Sequence, residues 1–344
     1  MRFAFDERQL EFRAQLRAFT DKECTPPDIR EAWSSDLGWS RERWAALADM
    51  GVTGITVPEE FGGLGLGLLD VVLLLEESGR AGLPEPLLET TVLGVSALEI
   101  VPGTVGETLR TTWLPRIAAG ESVVAIGVST MPAVPGALGA DMLLLQRGEE
   151  LHAVPGQAAV VTPRLALDGG RRLAHVSWEA SPLTLAVPSP GAEAVIAAVA
   201  DRAAMGTAAL LLGIAERLIT MAAQYARERV QFGKPIGSFQ AVKHHLANAL
   251  VRLEFARPAV YRAAWSLDRC HRDAGRDASM AKALASEAAT LAATTALQVH
   301  GAIGYTWEHD LHLWMKRAWA LAAAWGDAAT HRARVLEAAT ASDS

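Results

Sequence analysis

The sequence predicts a mainly α-helical protein with a small β domain set between two helical regions. Three observations predict it. Half of the 344 residues are hydrophobic while only 6% are aromatic, so alanine carries much of the apolar fraction, and alanine is the best helix former. Apolar residues recur at helical spacing at both ends of the chain. Between residues 121 and 194 the period shortens, and Pro and Gly punctuate short β-like runs. The length is ample for a sizeable core and for two or three domains. Formal charge is −7, and no basic run of the kind that grips nucleic acid is present. Cys24 and Cys270 form neither a disulfide framework nor a zinc spacing. The opening residues lack the apolar core of a signal peptide. No run of eighteen apolar residues occurs, so no membrane span is expected. A cytoplasmic chain without nucleic-acid or membrane partners is expected.

Residues 1–120 read as a helical domain. Leu10, Phe12, Leu16 and Phe19 stand at helical spacing over 6–22. Ser40 is placed to cap a second helix bearing Trp44, Leu47 and Ala48, with Gly51 just past its end. The glycines of PEEFGGLGLG (58–67) require a loop. Helical patterns follow over 68–80, 86–101 and 106–119. Residues 121–194 read as about six short strands, at 122–128, 141–146, 151–154, 158–161, 172–178 and 183–187. Residues 195–344 return to helix, over 196–230, 238–268, 278–299, 310–325 and 329–340. Long antiparallel helices with short links make a bundle.

Two segments carry chemistry. In YARERVQFGKPIGSFQAVKHHL (225–246) a helix ends and a turn follows. A new helix then begins near Ser238, a plausible N-cap. Arg229 offers a planar cation suited to phosphate, the helix start offers free N–H groups, and Phe232 and Phe239 can flank a ring. The competing reading is an ordinary basic turn between helices. In QVHGAIGYTWE (298–308) a helix ends at a glycine-containing loop that admits close backbone approach, although alone it is an ordinary helix terminus.

Taken in this order, these segments resemble the signatures of the acyl-CoA dehydrogenase family. MGVTGITVPEEFGGLGLGLLD (50–70) and EESGRAGLPEP (76–86) are similar to its N-terminal domain. The resemblance implies a helical N-terminal domain, a β middle domain and a C-terminal four-helix bundle. It also implies FAD and the oxidation of an acyl-CoA thioester to the enoyl-CoA, with a glutamate as base and hydride passing to the flavin. In the family two subunits build each FAD site. The half that one subunit lends to its neighbour matches here: Arg229, Gln231, Phe232 and Gly233 align with the turn, and Ile236, Phe239 and Val242 follow at contact positions. Gln298, Val299 and Gly301 align with the second loop, where Ala302 replaces a glycine.

The receiving half departs from the family. Its Thr-Glu-Pro stretch corresponds to Thr130-Met131-Pro132, and the pattern breaks at Pro135 and Gly136. Of the flavin-covering stretch, Gly156 and Thr162 remain, while Ala158 and Val160 replace the lysine and the aromatic. The middle domain is also short, with the segment from Thr162 to Asp201 roughly half the family's length. The usual base position falls on Trp325, and the alternative one on Ala203, beside Ala204; none of these side chains accepts a proton. No catalytic residue is therefore assigned. Asp327 becomes a candidate only if the alignment slips by two residues.

Random decay would not spare one half-site and erase the other. The chain thus resembles the shorter, base-less subunit of actinobacterial heteromeric acyl-CoA dehydrogenases that act on steroid side chains. Expected are a heterotetramer with a longer homologue as partner, FAD shared at the subunit interface, and an acyl-CoA substrate on the complex. Two alternatives stand beside this: a self-sufficient homo-oligomer with a displaced base, and a non-enzymatic acyl-CoA-binding or scaffold relative. Of the remaining residues, His244 and His245 point to different helix faces and make no metal pair. His309, His312 and Trp314 are expected to pack, His331 and Arg332 to lie at a solvated helix start, and Glu76 and Glu77 to form surface ion pairs.

Overall fold

The computed structural model describes residues 4–341. The N-terminal region carries α1 (Glu7–Glu23), α2 (Pro26–Ser34), α3 (Arg41–Asp49), α4 (Leu68–Ala81), α5 (Val95–Ile100, entered through a π-helical stretch Leu88–Gly94) and α6 (Gly103–Ala118). Strands follow: β1 (Val124–Gly127), β2 (Val134–Pro135), β3 (Met142–Arg147), β4 (Glu150–Pro155), β5 (Val160–Arg164), β6 (Leu173–Ser177) and β7 (Leu185–Val187). The long α7 (Ala192–Glu228) leads to a hairpin, β8 (Val230–Gln231) and β9 (Lys234–Pro235). Then come α8 (Gln240–Asp268), α9 (Ala274–His300), α10 (Leu311–Ala323) and α11 (Ala328–Ala341). The fold class is the one the sequence predicts. Ser40 does cap α3, accepting the Arg43 N–H at 3.2 Å. The helix at Pro26 and the short β2 carry too little periodicity to be legible.

The chain divides into two compact units. One comprises Arg30–Val71 and Pro84–Ala203. Its β elements form a sheet of order β1-β3-β4-β7 and a sheet of order β2-β6-β5, antiparallel except for the β1–β3 pair. Ala125, Val134, Leu143, Leu145, Val154 and Ala174 close a core between these strands. Buried Glu85 accepts from Arg43 Nε at 2.7 Å and from the Ser40 N–H at 3.1 Å, which ties the start of α3 to the loop before α5.

The other unit comprises Met1–Ile29, Val72–Leu83 and Ala204–Ser344. Alanine lets its helices approach closely: Ala281, Ala285, Ala288, Ala289, Ala292 and Ala296 of α9 are all buried, and α8, α10 and α11 pack against α9. Helices α4 and α7 cross at glycines. A Cβ on Gly79 would stand 2.0 Å from Leu210 O, and one on Gly213 would stand 1.8 Å from Glu76 O. By length and composition α7 is apolar enough to cross a membrane. Its apolar stretch is instead protein core, with Ala204, Leu211, Leu212 and Leu218 at zero exposure.

Glu76 and Glu77 are not surface residues. They are 1% and 0% exposed. Arg13 Nε, Arg17 Nε and Arg80 Nε donate to the Glu77 carboxylate at 2.8, 2.9 and 2.6 Å. The Glu76 carboxylate accepts from Arg257 and, at 2.7 Å, from the Tyr261 hydroxyl. Adjacent carboxylates on α4 therefore hold α1 and the middle of α8. The helical period of α4 does not separate them, because both belong to an arc walled by arginines on α1, α4 and α8.

Candidate functional site

The Arg229 segment is built by a hairpin. Strands β8 and β9 pair as Val230 with Pro235 and Gln231 with Lys234. The two residues between them, Phe232 and Gly233, have φ of +51° and +79°. Two successive left-handed residues form the turn whose twist matches a tight hairpin. The hairpin is fixed to α7 because the Arg229 N–H donates to Tyr225 O (2.8 Å) and the Ile236 N–H donates to Arg229 O (2.8 Å). Ser238 does not cap α8. It lies in a 3₁₀ turn, Ile236–Ser238, and Phe239 precedes the helix without a side-chain cap.

The hairpin presents a mixed surface. Arg229, Gln231 and Lys234 are exposed, and Phe232 is 91% exposed. Phe232 meets Phe239 edge-on, with ring centroids 6.1 Å apart. Lys234 Nζ lies 4.6 Å from the centre of the Phe239 ring. Ile236, Phe239 and Val242 are half-buried along the base of this patch. The helix beyond it is unusually bare: from Gln240 to Arg252 only Ala249 is buried. Val251 and Phe255 extend the exposed apolar surface along α8. An isolated helical stretch with so little packing gains little stability in water.

The second segment ends α9. Gln298 is exposed, Val299 buried, and Gly301 turns the chain with φ +66° and open space where a Cβ would be. Ala302 stands exposed beyond it. The fold brings the two segments together through rings. Tyr225, one turn before Arg229, stacks on His300, two residues after Gln298, with centroids 4.4 Å apart. His309 packs edge-on against His300 at 4.6 Å.

The stretches aligned with the receiving half are ordinary structure. Thr130 and Pro132 are exposed in a turn before β2. Gly156 has a packing reason to be glycine, since a Cβ there would stand 2.1 Å from Ala140 O. Val160 begins the edge strand β5 and is 68% exposed. Ala203 and Ala204 are fully buried in α7.

Trp325, the residue that the resemblance aligns with the usual base, sits in a strained turn. Trp325 has φ +56°, a conformation that bulky residues rarely adopt. Its carbonyl accepts from His331 Nε2 at 2.9 Å. Beneath the turn lies Lys282 of α9, fully buried, whose ammonium donates to Ser286 Oγ, Ala322 O and Gly326 O at 3.0, 2.9 and 3.0 Å. Nothing in the helical period of α9 marks this lysine, because it sits at an alanine-rich core position. His331 is buried rather than solvated, and Arg332 pairs with Glu287.

Asp327 starts α11 as its cap. The Thr330 N–H and hydroxyl both donate to Oδ1 at 2.8 Å. These bonds, the backbone one first, hold its carboxyl below the usual carboxylate range. A general base works best with a pKa near the operating pH, so the cap makes a poor one. Asp327, Trp319 and Leu291 line an open cavity of about 670 Å³ between α9, α10 and α11. Of the other histidines, His244 and His245 are exposed on α8, and His312 is buried against Trp307. Among the described residues no group of three His, Cys, Asp or Glu is placed to hold a metal.

Known proteins match this arrangement along its length. The family description "Acyl-CoA dehydrogenase, N-terminal domain" fits residues 6–121, and "Acyl-CoA dehydrogenase, C-terminal domain" fits 191–340. Acyl-CoA dehydrogenase IpdE2 of Mycobacterium tuberculosis is 36% identical over 315 residues, covering 91% of each chain. The solved ChsE4-ChsE5 complex of M. tuberculosis superimposes with a TM-score of 0.85 at 25% identity, covering 99% of each chain. The Tcur3481-Tcur3483 steroid ACAD variant gives 0.87 at 24%, covering 98% of this chain and 99% of that one. With two family descriptions spanning most of its residues and the IpdE2 match over nine-tenths of its length, the chain belongs to the acyl-CoA dehydrogenase family.

Proposed function

We propose that this chain is the accessory subunit of a heteromeric, FAD-dependent acyl-CoA dehydrogenase. It lends one half of an FAD site to a longer partner homologue that carries the base and the flavin-ring pocket. One observation carries this: the hairpin with Arg229, Gln231 and Phe232 stands exposed on a bare helix, while the base positions hold Trp325 and a buried Ala203.

The residues fit the cofactor's diphosphate and adenosine end. Arg229 supplies a fixed planar cation for phosphate. Gln231 supplies an amide, and its Nε2 now donates to Val230 O at 2.8 Å. Phe232 offers an exposed ring, and the open Gly301 turn admits backbone N–H groups to an anion. Bound FAD supplies the two-electron acceptor for removal of hydrogen from the acyl chain. This chain's residues would bind and orient it and exclude water at the interface; the aligned base positions, Trp325 and Ala203, hold no group that can take the α-proton.

The printed descriptions of the solved relatives favour the same assembly. ChsE4-ChsE5 is named as a complex of two chains, and Tcur3481-Tcur3483 as a steroid ACAD. A steroid-derived or similarly bulky acyl-CoA is the substrate class we propose for the complex. The test is to purify the chain alone and with a longer homologous partner, then record flavin absorbance and acyl-CoA oxidation. Colour and turnover are expected only in the complex. A yellow, active homo-oligomer of this chain alone would overturn the proposal.

A further inference from the structure

We propose that the Tyr225–His300–His309 ring stack is the positioning element that joins the two flavin-lending segments, and that acidification parts them. Its use in flavin binding rests on the function proposed above; the joining itself does not.

The geometry fixes the state of Nδ1 in both histidines. His300 is 5% exposed. Its Nδ1 lies 2.8 Å from Ala296 O and can only donate there, so Nδ1 carries a proton and Nε2 is the atom left to take one up. His309 Nδ1 accepts the Leu311 N–H at 3.1 Å, so it is unprotonated. A proton on that nitrogen would set two donors against each other at the first residue of α10. A proton on His300 Nε2 would place a charge inside the stack, 4.6 Å from the His309 ring centre. Burial pushes the His300 pKa below its ordinary value, against the opposing pull of the hydrogen bond to Ala296 O.

No carboxylate stands ready to absorb that charge. On α7 the nearby ionisable groups are Arg227, Glu228 and Arg229, and Glu228 is engaged by Gln224. The last two turns of α9 contain no ionisable side chain besides His300. On the segment before α10, Tyr305 and Glu308 are exposed, with Glu308 held by backbone and by Thr306. Asp310 follows and is half-buried. None of these is a hydrogen-bond partner of the His300 ring among the described residues.

The stack bears on function because of what its members are attached to. Tyr225 O receives the Arg229 N–H that roots the hairpin, and His300 directly precedes Gly301. Parting Tyr225 from His300 separates Arg229 from the Gln298 loop. A histidine whose folded pKa is lowered leaves the folded state fully favoured above about pH 6.5, and that advantage is lost as pH falls below it.

The test is amide hydrogen exchange on the full chain at pH 7.5 and 5.5, corrected for intrinsic rates, read at Arg229, Ile236 and Leu311. Wild-type protection should fall between pH 7.5 and 5.5, by at most about tenfold per pH unit below pH 6.5 for the single proton taken up by His300. The double variant His300→Phe, His309→Asn keeps a ring and an acceptor but does not titrate, and its protection should be flat. If that variant fails to fold at pH 7.5, His300→Gln, which keeps a donor for Ala296 O and does not titrate, should abolish the pH response. Constant wild-type protection, or equal loss in the variants, overturns the proposal. A parallel FAD titration of the complex separates the two ideas. Amides that open in acid while FAD affinity stays constant would refute the lending role and leave the joining intact.

Discussion

Replacing Glu77 by Ala removes the centre of a buried charge cluster. Its carboxylate is 0% exposed and accepts from three arginines at 2.6 to 2.9 Å. Breaking a buried pair by removing one partner costs about 3–5 kcal/mol, because the other charge stays uncompensated. Arg17 is 41% exposed and Arg13 23%, so both keep some water. That places the loss at the lower end, about 3 kcal/mol, or roughly 150-fold in the folding equilibrium. Glu77→Gln keeps the shape and one acceptor and should cost less than Glu77→Ala. Urea unfolding followed by far-UV circular dichroism reads the helical signal. The pH dependence adds a second check. Burial alone would raise the Glu77 pKa, but hydrogen bonds from Arg17, Arg80 and Arg13 together bring it below 4.5. A depressed carboxyl stabilises above the unfolded value and loses that contribution as pH falls through the folded value. The gap between wild type and Glu77→Gln should therefore be full at pH 7 and shrink below about pH 4.5. A loss under about 1 kcal/mol at pH 7, the size of an exposed pair, would refute the reasoning.

Two further outcomes follow from the same contacts. Lys282→Met leaves Ala322 O and Gly326 O without their buried donor and should lower stability by about 2–4 kcal/mol, whereas exposed Lys243→Met should stay within about 0.5 kcal/mol; equal effects in urea unfolding would contradict the buried role. Asp327→Asn preserves a capping side chain and should leave turnover of the complex unchanged; loss of turnover would favour the displaced-base alternative.

Helix and strand positions were legible wherever apolar period and punctuation agreed. The α7, α8, α9 and α10 segments and most strands fall within a few residues of the sequence expectation. The turn at Phe232–Gly233 and the one at Gly301 were legible too, because such turns need particular residue types; the flavin-lending role proposed for them comes from the family resemblance. What the sequence hid depends on long-range burial. Glu76 and Glu77 read as surface because, apart from Arg80 on the same helix, their arginines come from 60 or more residues away, on α1, and from α8. Lys282 read as nothing because one lysine among alanines gives no pattern. Ser238 read as a cap because its type is right, yet the backbone takes a 3₁₀ turn there instead. His300 and His309 lie close together only because the loop after α9 folds back.

The most direct measurement is FAD titration of the complex with its longer partner, comparing wild type with Arg229→Ala made in this chain alone. Losing a charge-assisted contact of about 1.5–3 kcal/mol should weaken FAD binding by roughly 10- to 150-fold. Unchanged FAD affinity would contradict the claim that this chain completes its partner's cofactor site.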